Sequence, residues 1–281
     1  MKKVQILNLN PSFDHTGILK TNVESDVVRV DEVFALASGK GIDVARVLNI
    51  LGYDDYVVAN ILGGGVGKLI EKGLKEEKIN SWNYWIDKDS RINYALVKEA
   101  EEKTLMINEN GPEISSSEKN RILDDIGEWL EEDQIMVLAG SAVLGISSED
   151  IVNILQKARE KGMYIIVDIS KSYLKACLKE EFDLLKINDK EFVSAYKDKY
   201  DYSFKSKEDF IKVLENEGFN IYLDYKNKSN EIAEVDENKL YEITQNAKIN
   251  LTLEEIANHL KKFKNLRKTD FFIHKRLEAF L

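Results

Sequence analysis

Short apolar runs alternate along this chain with stretches whose apolar residues recur at every third or fourth position. The first run, VQILNL (4–9), reads as a strand. GIDVARVLNILG (41–52) then sets Ile42, Val44, Ala45, Val47, Leu48 and Leu51 on a helical period, with Gly52 where such a helix stops. The alternation continues with strand YVVANIL (56–62), helix GVGKLIEKGLKEE (65–77), strand QIMVLAG (134–140) and helix SSEDIVNILQKAREKG (147–162). Strands MYIIVDI (163–169) and DLLKIN (183–188), helix SKEDFIKVLENEG (206–218) and strand FNIYLDY (219–225) complete it. Strand, helix and strand in series predict parallel strands joined by crossover helices, hence an α/β layered domain with a mostly parallel sheet flanked by helices.

Two stretches break the rhythm. Residues 15–36 and 82–110, including VVRVDEVFAL and RINYALVKEA, alternate as strands with no helical pattern between them. They predict hairpin-like excursions that pair into a small β-sheet lid. Three helix starts carry capping boxes: Ser115 with Glu118, Thr252 with Glu255, and the acidic variant Ser147 with Asp150. No repeat, low-complexity segment or proline-rich linker divides the chain, so residues 1–281 read as a single domain.

With 43% hydrophobic and 32% charged residues, the composition is that of a soluble globular protein. The net charge of −10 argues against a nucleic-acid partner, which requires a basic face. A lone Cys177 excludes an internal disulfide framework and a cysteine-based zinc site, and His15, His259 and His274 lack metal-ligand spacing. The start, MKKVQILNLN, reads as a first strand and not a signal peptide, and no apolar run approaches a membrane span. The expectation is a cytoplasmic protein with no membrane partner.

The glycine-rich stretches narrow the chemistry. LGGGVGKL (62–69) fails the P-loop pattern, because Leu62 holds the first glycine position and Leu69 follows Lys68. Its glycines also miss the dinucleotide spacing, so a tight strand-to-helix turn is the better reading. In NPSFD (10–14), Asp14 is either a ligand for sugar hydroxyls beyond a strand end or a turn residue. SRIN (90–93) puts Arg91 and Asn93 on one face of a lid strand, and Arg29 lies on the other excursion. Their forked guanidinium groups suit phosphate, while the plainer alternative is two exposed strand arginines. In KINDKE (186–191), Asn188 and Glu191 either order a metal–water cluster or mark a helix start.

Taken in order, LNPSFD, SGKGIDVARVLNILG, LGGGVG, SRIN, TLMINENGP, VLAGS, VDIS and KINDKE resemble the PfkB branch of the ribokinase-like sugar kinases. The group most resembled phosphorylates fructose 1-phosphate or tagatose 6-phosphate, and the similarity runs to about residue 195. The resemblance implies a ribokinase-like core with a β-sheet lid that often mediates homodimerisation. It implies that Asp14 and the 39–43 loop, with Gly39 and Asp43, hold a sugar, and that Arg29, Lys40, Arg91 and Asn93 contact sugar or phosphate. Lys186, Asn188 and Glu191 match the family's Lys-Pro-Asn-x-x-Glu stretch, which helps place Mg²⁺ and nucleotide phosphates, with Ile187 in place of the proline.

The departures from the family matter as much. Its Gly-Gly-Lys-Gly-x-Asn loop reads here with Ser38 for the first glycine and Asp43 for the asparagine. An ionised carboxylate accepts hydrogen bonds but donates none. Downstream, the family's Gly-Ala-Gly-Asp segment supplies an anion hole and the base for the sugar hydroxyl. Gly218 is the last glycine of this chain, the corresponding region reads AKINLTLEEIANHLKKF, and the part from about residue 220 is shortened. Losing such anion-hole donors costs about 10²–10³ in rate, and losing a general base about 10²–10⁴ more. The leading expectation is a kinase homologue that keeps a partial sugar-phosphate site and is inactive or strongly impaired, with no catalytic residue assigned and no dedicated metal site. Fructose 1-phosphate, fructose 6-phosphate and tagatose 6-phosphate are the candidate ligands. The alternatives are an active MgATP-dependent 1-phosphofructokinase or tagatose-6-phosphate kinase using Glu254 or Glu255 as base, and a non-catalytic protein that dimerises through the lid.

Overall fold

In the computed structural model, residues 2–21, 27–169, 171–187 and 221–223 are described. Strands β1 (Val4–Asn8), β4 (Tyr56–Gly63), β5 (Ser81–Ile86), β8 (Ile135–Gly140), β9 (Tyr164–Ile169), β10 (Leu184–Ile187) and β11 (Ile221–Leu223) form one sheet in the order β11-β10-β9-β8-β1-β4-β5. Every pairing in it is parallel. The expected α/β architecture is therefore present. β1 and β4 are buried along their whole length. This is why VQILN and YVVANILG read as nearly continuous apolar runs: a parallel sheet is covered on both faces.

The two faces bury separate cores. Leu7 and Leu9 join Ile122 and Ile126 of α3 (Ser116–Trp129), and Ile151, Ile154 and Leu155 of α4 (Ser148–Glu160). Val4 and Ile6 point the other way, into a cluster with Ile42 and Ala45 of α1 (Lys40–Ile50), and Ile70 and Leu74 of α2 (Gly64–Glu76). Ser115 and Ser147 close complete capping boxes with Glu118 and Asp150. Helix α1 ends as its sequence predicts: Gly52 has φ +75°, its N–H donates to Asn49 O, and the Tyr53 N–H donates to Leu48 O, the paired bonds of a glycine-terminated helix. The box of Thr252 lies outside the described residues, as does the helix expected over 206–218.

A second sheet stands beside the first. It comprises β2 (Ser12–Leu19), β3 (Glu32–Ser38), β6 (Arg91–Lys98) and β7 (Lys103–Asn108), ordered β3-β2-β6-β7. β2 pairs antiparallel with β3 and parallel with β6, and β6 pairs antiparallel with β7.

Four details differ from the pattern reading. Ser81–Ile86 is not lid: it extends the main sheet beside β4, because a parallel edge strand exposed along one side shows the same alternation as a lid strand. The strand expected from residue 27 begins only at Glu32. Asp14 does not close the first strand, which ends at Asn8, but lies on β2. Helix α5 (Lys171–Cys177) separates β9 from β10, as parallel neighbours require a crossover. Among the described residues, no helix is long and apolar enough to cross a membrane.

Candidate functional site

Strand order reverses at β1. From it the chain builds outward to β4 and β5 on one side and to β8, β9 and β10 on the other. Ligands of open α/β sheets bind beyond the carboxyl ends of strands at such a point. Here the ends of β1, β8 and β9 contribute Asn8, Gly140 and Asp168, and the loop before α1 crosses above them. Gly39 has φ +137°, and a Cβ on Gly39 or Gly41 would come within 2.8 or 2.5 Å of the Asn8 side chain. The glycines of SGKG thus let the backbone sit directly on Asn8, whose Oδ1 accepts from the Gly41 N–H at 3.4 Å. Asn8 donates to Asn60 Oδ1 (2.8 Å), and Asn60 to Asn83 Oδ1 (3.1 Å), a row of amides across three strands in register. The other glycine cluster is the tight turn its sequence suggested. Gly64 has φ +58°, and a Cβ on Gly63 would lie 1.9 Å from the Lys88 carbonyl oxygen.

Lys40, the first residue of α1, donates from Nζ to Asp168 Oδ1 at 2.5 Å. Lys186 Nζ on β10 lies 3.3 Å from Asp168 Oδ2, an ion pair without hydrogen-bond geometry. Asp168 is 3% exposed, and Lys40 is more open, its side chain 37% exposed.

The lid supplies a second cluster. Strands β2 and β6 align Ser12 with Arg91 and Asp14 with Asn93. The Ser12 hydroxyl donates to Asp14 Oδ1 (2.6 Å), and Asn93 Nδ2 lies 2.9 Å from Ser12 Oγ and 3.0 Å from Asp14 Oδ1. All three residues are buried. Arg91 donates to the Glu109 carbonyl oxygen (3.1 Å), and burial lowers its pKa against the opposing pull of the Glu109 carboxylate. Two buried atoms here, Arg91 Nε and Asn93 Oδ1, have no hydrogen-bond partner among the described residues. β3 joins this cluster to the glycine loop: Ser38 pairs with Ser12 and is followed at once by Gly39.

Asp43 faces a different partner. Its Oδ1 accepts from Arg46 Nη1 at 2.7 Å. Arg46 also donates from Nε and from Nη2 (2.9 Å) to Glu77, and from Nη2 to the Ala37 carbonyl oxygen (2.8 Å). Burial pushes the Asp43 carboxyl up to about 7, against the stabilising pull of Arg46, and the negative charge of Glu77 adds to the rise.

Asp14, Arg91 and Asn93 therefore come together on adjacent lid strands, and Gly39 and Lys40 adjoin them through β3, with Lys186 tied to Lys40 through Asp168. Arg29 is exposed in the segment before β3 and makes no hydrogen bond or ion pair with these groups. Asn188 and Glu191 lie outside the described residues, as do Glu254 and Glu255. Among the described residues no group of three or more His, Cys, Asp or Glu side chains is arranged to hold a metal ion. Sequence reading passed over Ser12, Asn8 and Asp168. Ser12 was detectable two positions before Asp14 on the same strand face, and Asp168 as the acid closing the VDIS strand.

A parallel sheet with a β lid, and a glycine loop at its switch point facing a polar lid cluster, defines the lidded sugar-kinase class of fold. The family model of pfkB family carbohydrate kinases matches residues 7–221, and the chain belongs to that family. Its structure is similar to that of Escherichia coli phosphofructokinase-2 in complex with fructose-6-phosphate, with 21% identity and a TM-score of 0.75 over 91% of this chain and 90% of that one. It is also similar to a Thermotoga maritima protein described as a possible 1-phosphofructokinase, with 21% identity and a TM-score of 0.67 over 80% of this chain and 72% of that one.

Proposed function

We propose that this chain is a sugar-phosphate-binding PfkB protein whose phosphoryl-transfer activity is lost or strongly impaired. Binding is supported by one observation above others: Arg91 Nε and Asn93 Oδ1 are buried without a partner among the described residues, beside Asp14 and near the glycine loop. Buried polar atoms are costly unless satisfied, and a ligand that presents both donors and acceptors satisfies them. A phosphorylated sugar of the fructose 1-phosphate, fructose 6-phosphate or tagatose 6-phosphate class has that chemistry. The loss of activity is supported by residues 247–263, AKINLTLEEIANHLKKF, which stand where the family has its Gly-Ala-Gly-Asp segment and hold no glycine to build an anion hole. MgATP is the co-substrate only if activity survives.

We further propose a cytoplasmic homodimer joined through the lid. The lid face turned from the main sheet exposes Val33, Tyr94, Leu105 and Ile107 around an apolar depression of about 260 Å³, which supports pairing with a second copy. The test of the binding reading is a thermal-shift matrix of the three sugar phosphates with and without MgATP, alongside coupled ADP release. A saturable shift that disappears in Arg91→Ala, with turnover far below the ~1 s⁻¹ at the low end for kinases, is expected. Turnover at or above that rate removes the claim of lost activity, and the absence of any shift removes the claim of binding.

A further inference from the structure

We propose that Asp168 is a positioning residue for Lys40, holding its ammonium at the strand switch point so that a ligand phosphate meets a cation already in place. The inference deepens the sugar-phosphate reading and rests on it for its functional consequence. Its structural half stands alone.

Asp183, near the opposite end of the same sheet, is a structural pin: its Oδ2 accepts from the Ile165 N–H (2.7 Å) and from Arg159 (3.0 Å), stitching the start of β9 to the chain entering β10. Asp168 accepts no such backbone bond among the described residues. Its partners are two ammoniums that arrive from separate elements, Lys40 from the start of α1 and Lys186 from β10. Its neighbour in register on β8, Ala139, is buried and offers no polar side chain. A carboxylate buried there persists because it is paired.

Lys40 is the partner whose position matters. Its side chain is long, and a third or more of it is open to solvent. Left to itself such a lysine spreads over many rotamers and loses that freedom when a ligand arrives. The short contact to Asp168 Oδ1 removes the freedom beforehand, which is how preorganisation raises affinity. Two lysines on one carboxylate leave the trio with a net charge of +1, so the held ammonium still attracts an anion.

Charge and position make opposite predictions for Asp168→Asn. If Asp168 only repels phosphate, its neutralisation tightens binding. If it positions Lys40, neutralisation weakens binding. The experiment uses the whole chain in two arms. In the first, without ligand, trace acetylation of lysines is read by mass spectrometry, with exposed Lys72 as internal reference. Lys40 labelling is expected to rise about tenfold in Asp168→Asn and to fall back in Asp168→Glu, since charge-assisted pairing shields the amine. In the second arm, titration calorimetry with fructose 6-phosphate and with inorganic phosphate is expected to show affinity about tenfold weaker in Asp168→Asn, about 1.4 kcal/mol, with Asp168→Glu restoring part of it.

Unchanged Lys40 labelling, or tighter phosphate binding in Asp168→Asn, overturns the proposal. If the wild-type chain binds neither ligand, the sugar-phosphate reading fails, and the labelling arm still decides whether Asp168 holds Lys40. Should the facing ammoniums prevent Asp168→Asn from folding, its combination with Lys186→Met removes their repulsion and carries the same expectations.

Discussion

Two buried polar clusters flank the end of β3, and they are satisfied in opposite ways. In the first, Arg46 sends donors to Asp43, Glu77 and the Ala37 carbonyl oxygen, so its planar fork is spent on the protein itself. In the second, Ser12, Asp14 and Asn93 bind one another, yet Asn93 Oδ1 and the neighbouring Arg91 Nε remain buried without partners among the described residues. Both clusters contain residues that family resemblance assigns to sugar binding. Only the second has capacity left over. Under the proposed reading the second cluster is the one that meets a ligand, and Asp43, in the first, is engaged by the protein itself. Its carboxylate, standing where the family has asparagine, is engaged by an arginine one helical turn away.

The largest expected effect tests the first cluster. Arg46→Met should destabilise the protein by about 3–5 kcal/mol, because it leaves the Asp43 and Glu77 carboxylates without their shared cation. Urea unfolding checks this, and a loss below about 1 kcal/mol would dissolve the distinction between the clusters. The same cluster also predicts a pH dependence. Asp43 titrates near 7 in the folded chain, above its value of 3.8 when unfolded. Between those values the folded state binds more protons, so this group makes stability fall as pH rises through the window, by up to ~1.4 kcal/mol per unit. Below the window its contribution is at its most favourable. Subtracting the stability–pH curve of Asp43→Asn from that of the wild type should expose this slope between about pH 4 and pH 7. A flat difference curve would mean that Arg46 keeps Asp43 ionised throughout.

What the sequence disclosed follows from the same physics. The α/β core was legible because two-sided burial writes β1 and β4 as apolar runs, and because Gly52 closes α1 with the geometry only a glycine takes easily. Strand β5 was misplaced because an edge strand is half exposed, and its alternation carries no mark of which sheet it joins. Helix α5 was missed because seven residues span only about two turns, too few to establish a period. Asp14, Arg91 and Asn93 stood out as candidates because each sits in a short motif, and the structure sets them on adjacent strands. The partners they choose were not legible. The pairing of Lys40 with Asp168 spans 128 positions, and that of Arg46 with Glu77 spans 31, so only the packed chain decides them. Asp43 is an example: its place in the 39–43 loop carried the family's sugar-site expectation, while its contact with Arg46 three positions on appears only in the folded chain.

The finest test of the comparison concerns a single hydroxyl. Ser12 donates to Asp14 at 2.6 Å and lies 2.9 Å from the Asn93 amide, so it fixes the distance between the two side chains expected to meet the sugar. Ser12→Ala removes that link and leaves the Asn93–Asp14 bond of 3.0 Å in place. One hydrogen bond of this kind contributes about 0.5–1.5 kcal/mol. If the cluster serves a ligand, the loss should appear mainly in binding, as sugar-phosphate affinity lowered about two- to tenfold in calorimetric titration. The melting temperature should move little, because Asp14 keeps a donor. A structural cluster predicts the reverse. A lowered melting temperature with unchanged affinity would place Ser12, Asp14 and Asn93 beside Arg46 as groups that serve the fold, and the leftover capacity at Asn93 Oδ1 would then have no ligand to explain it.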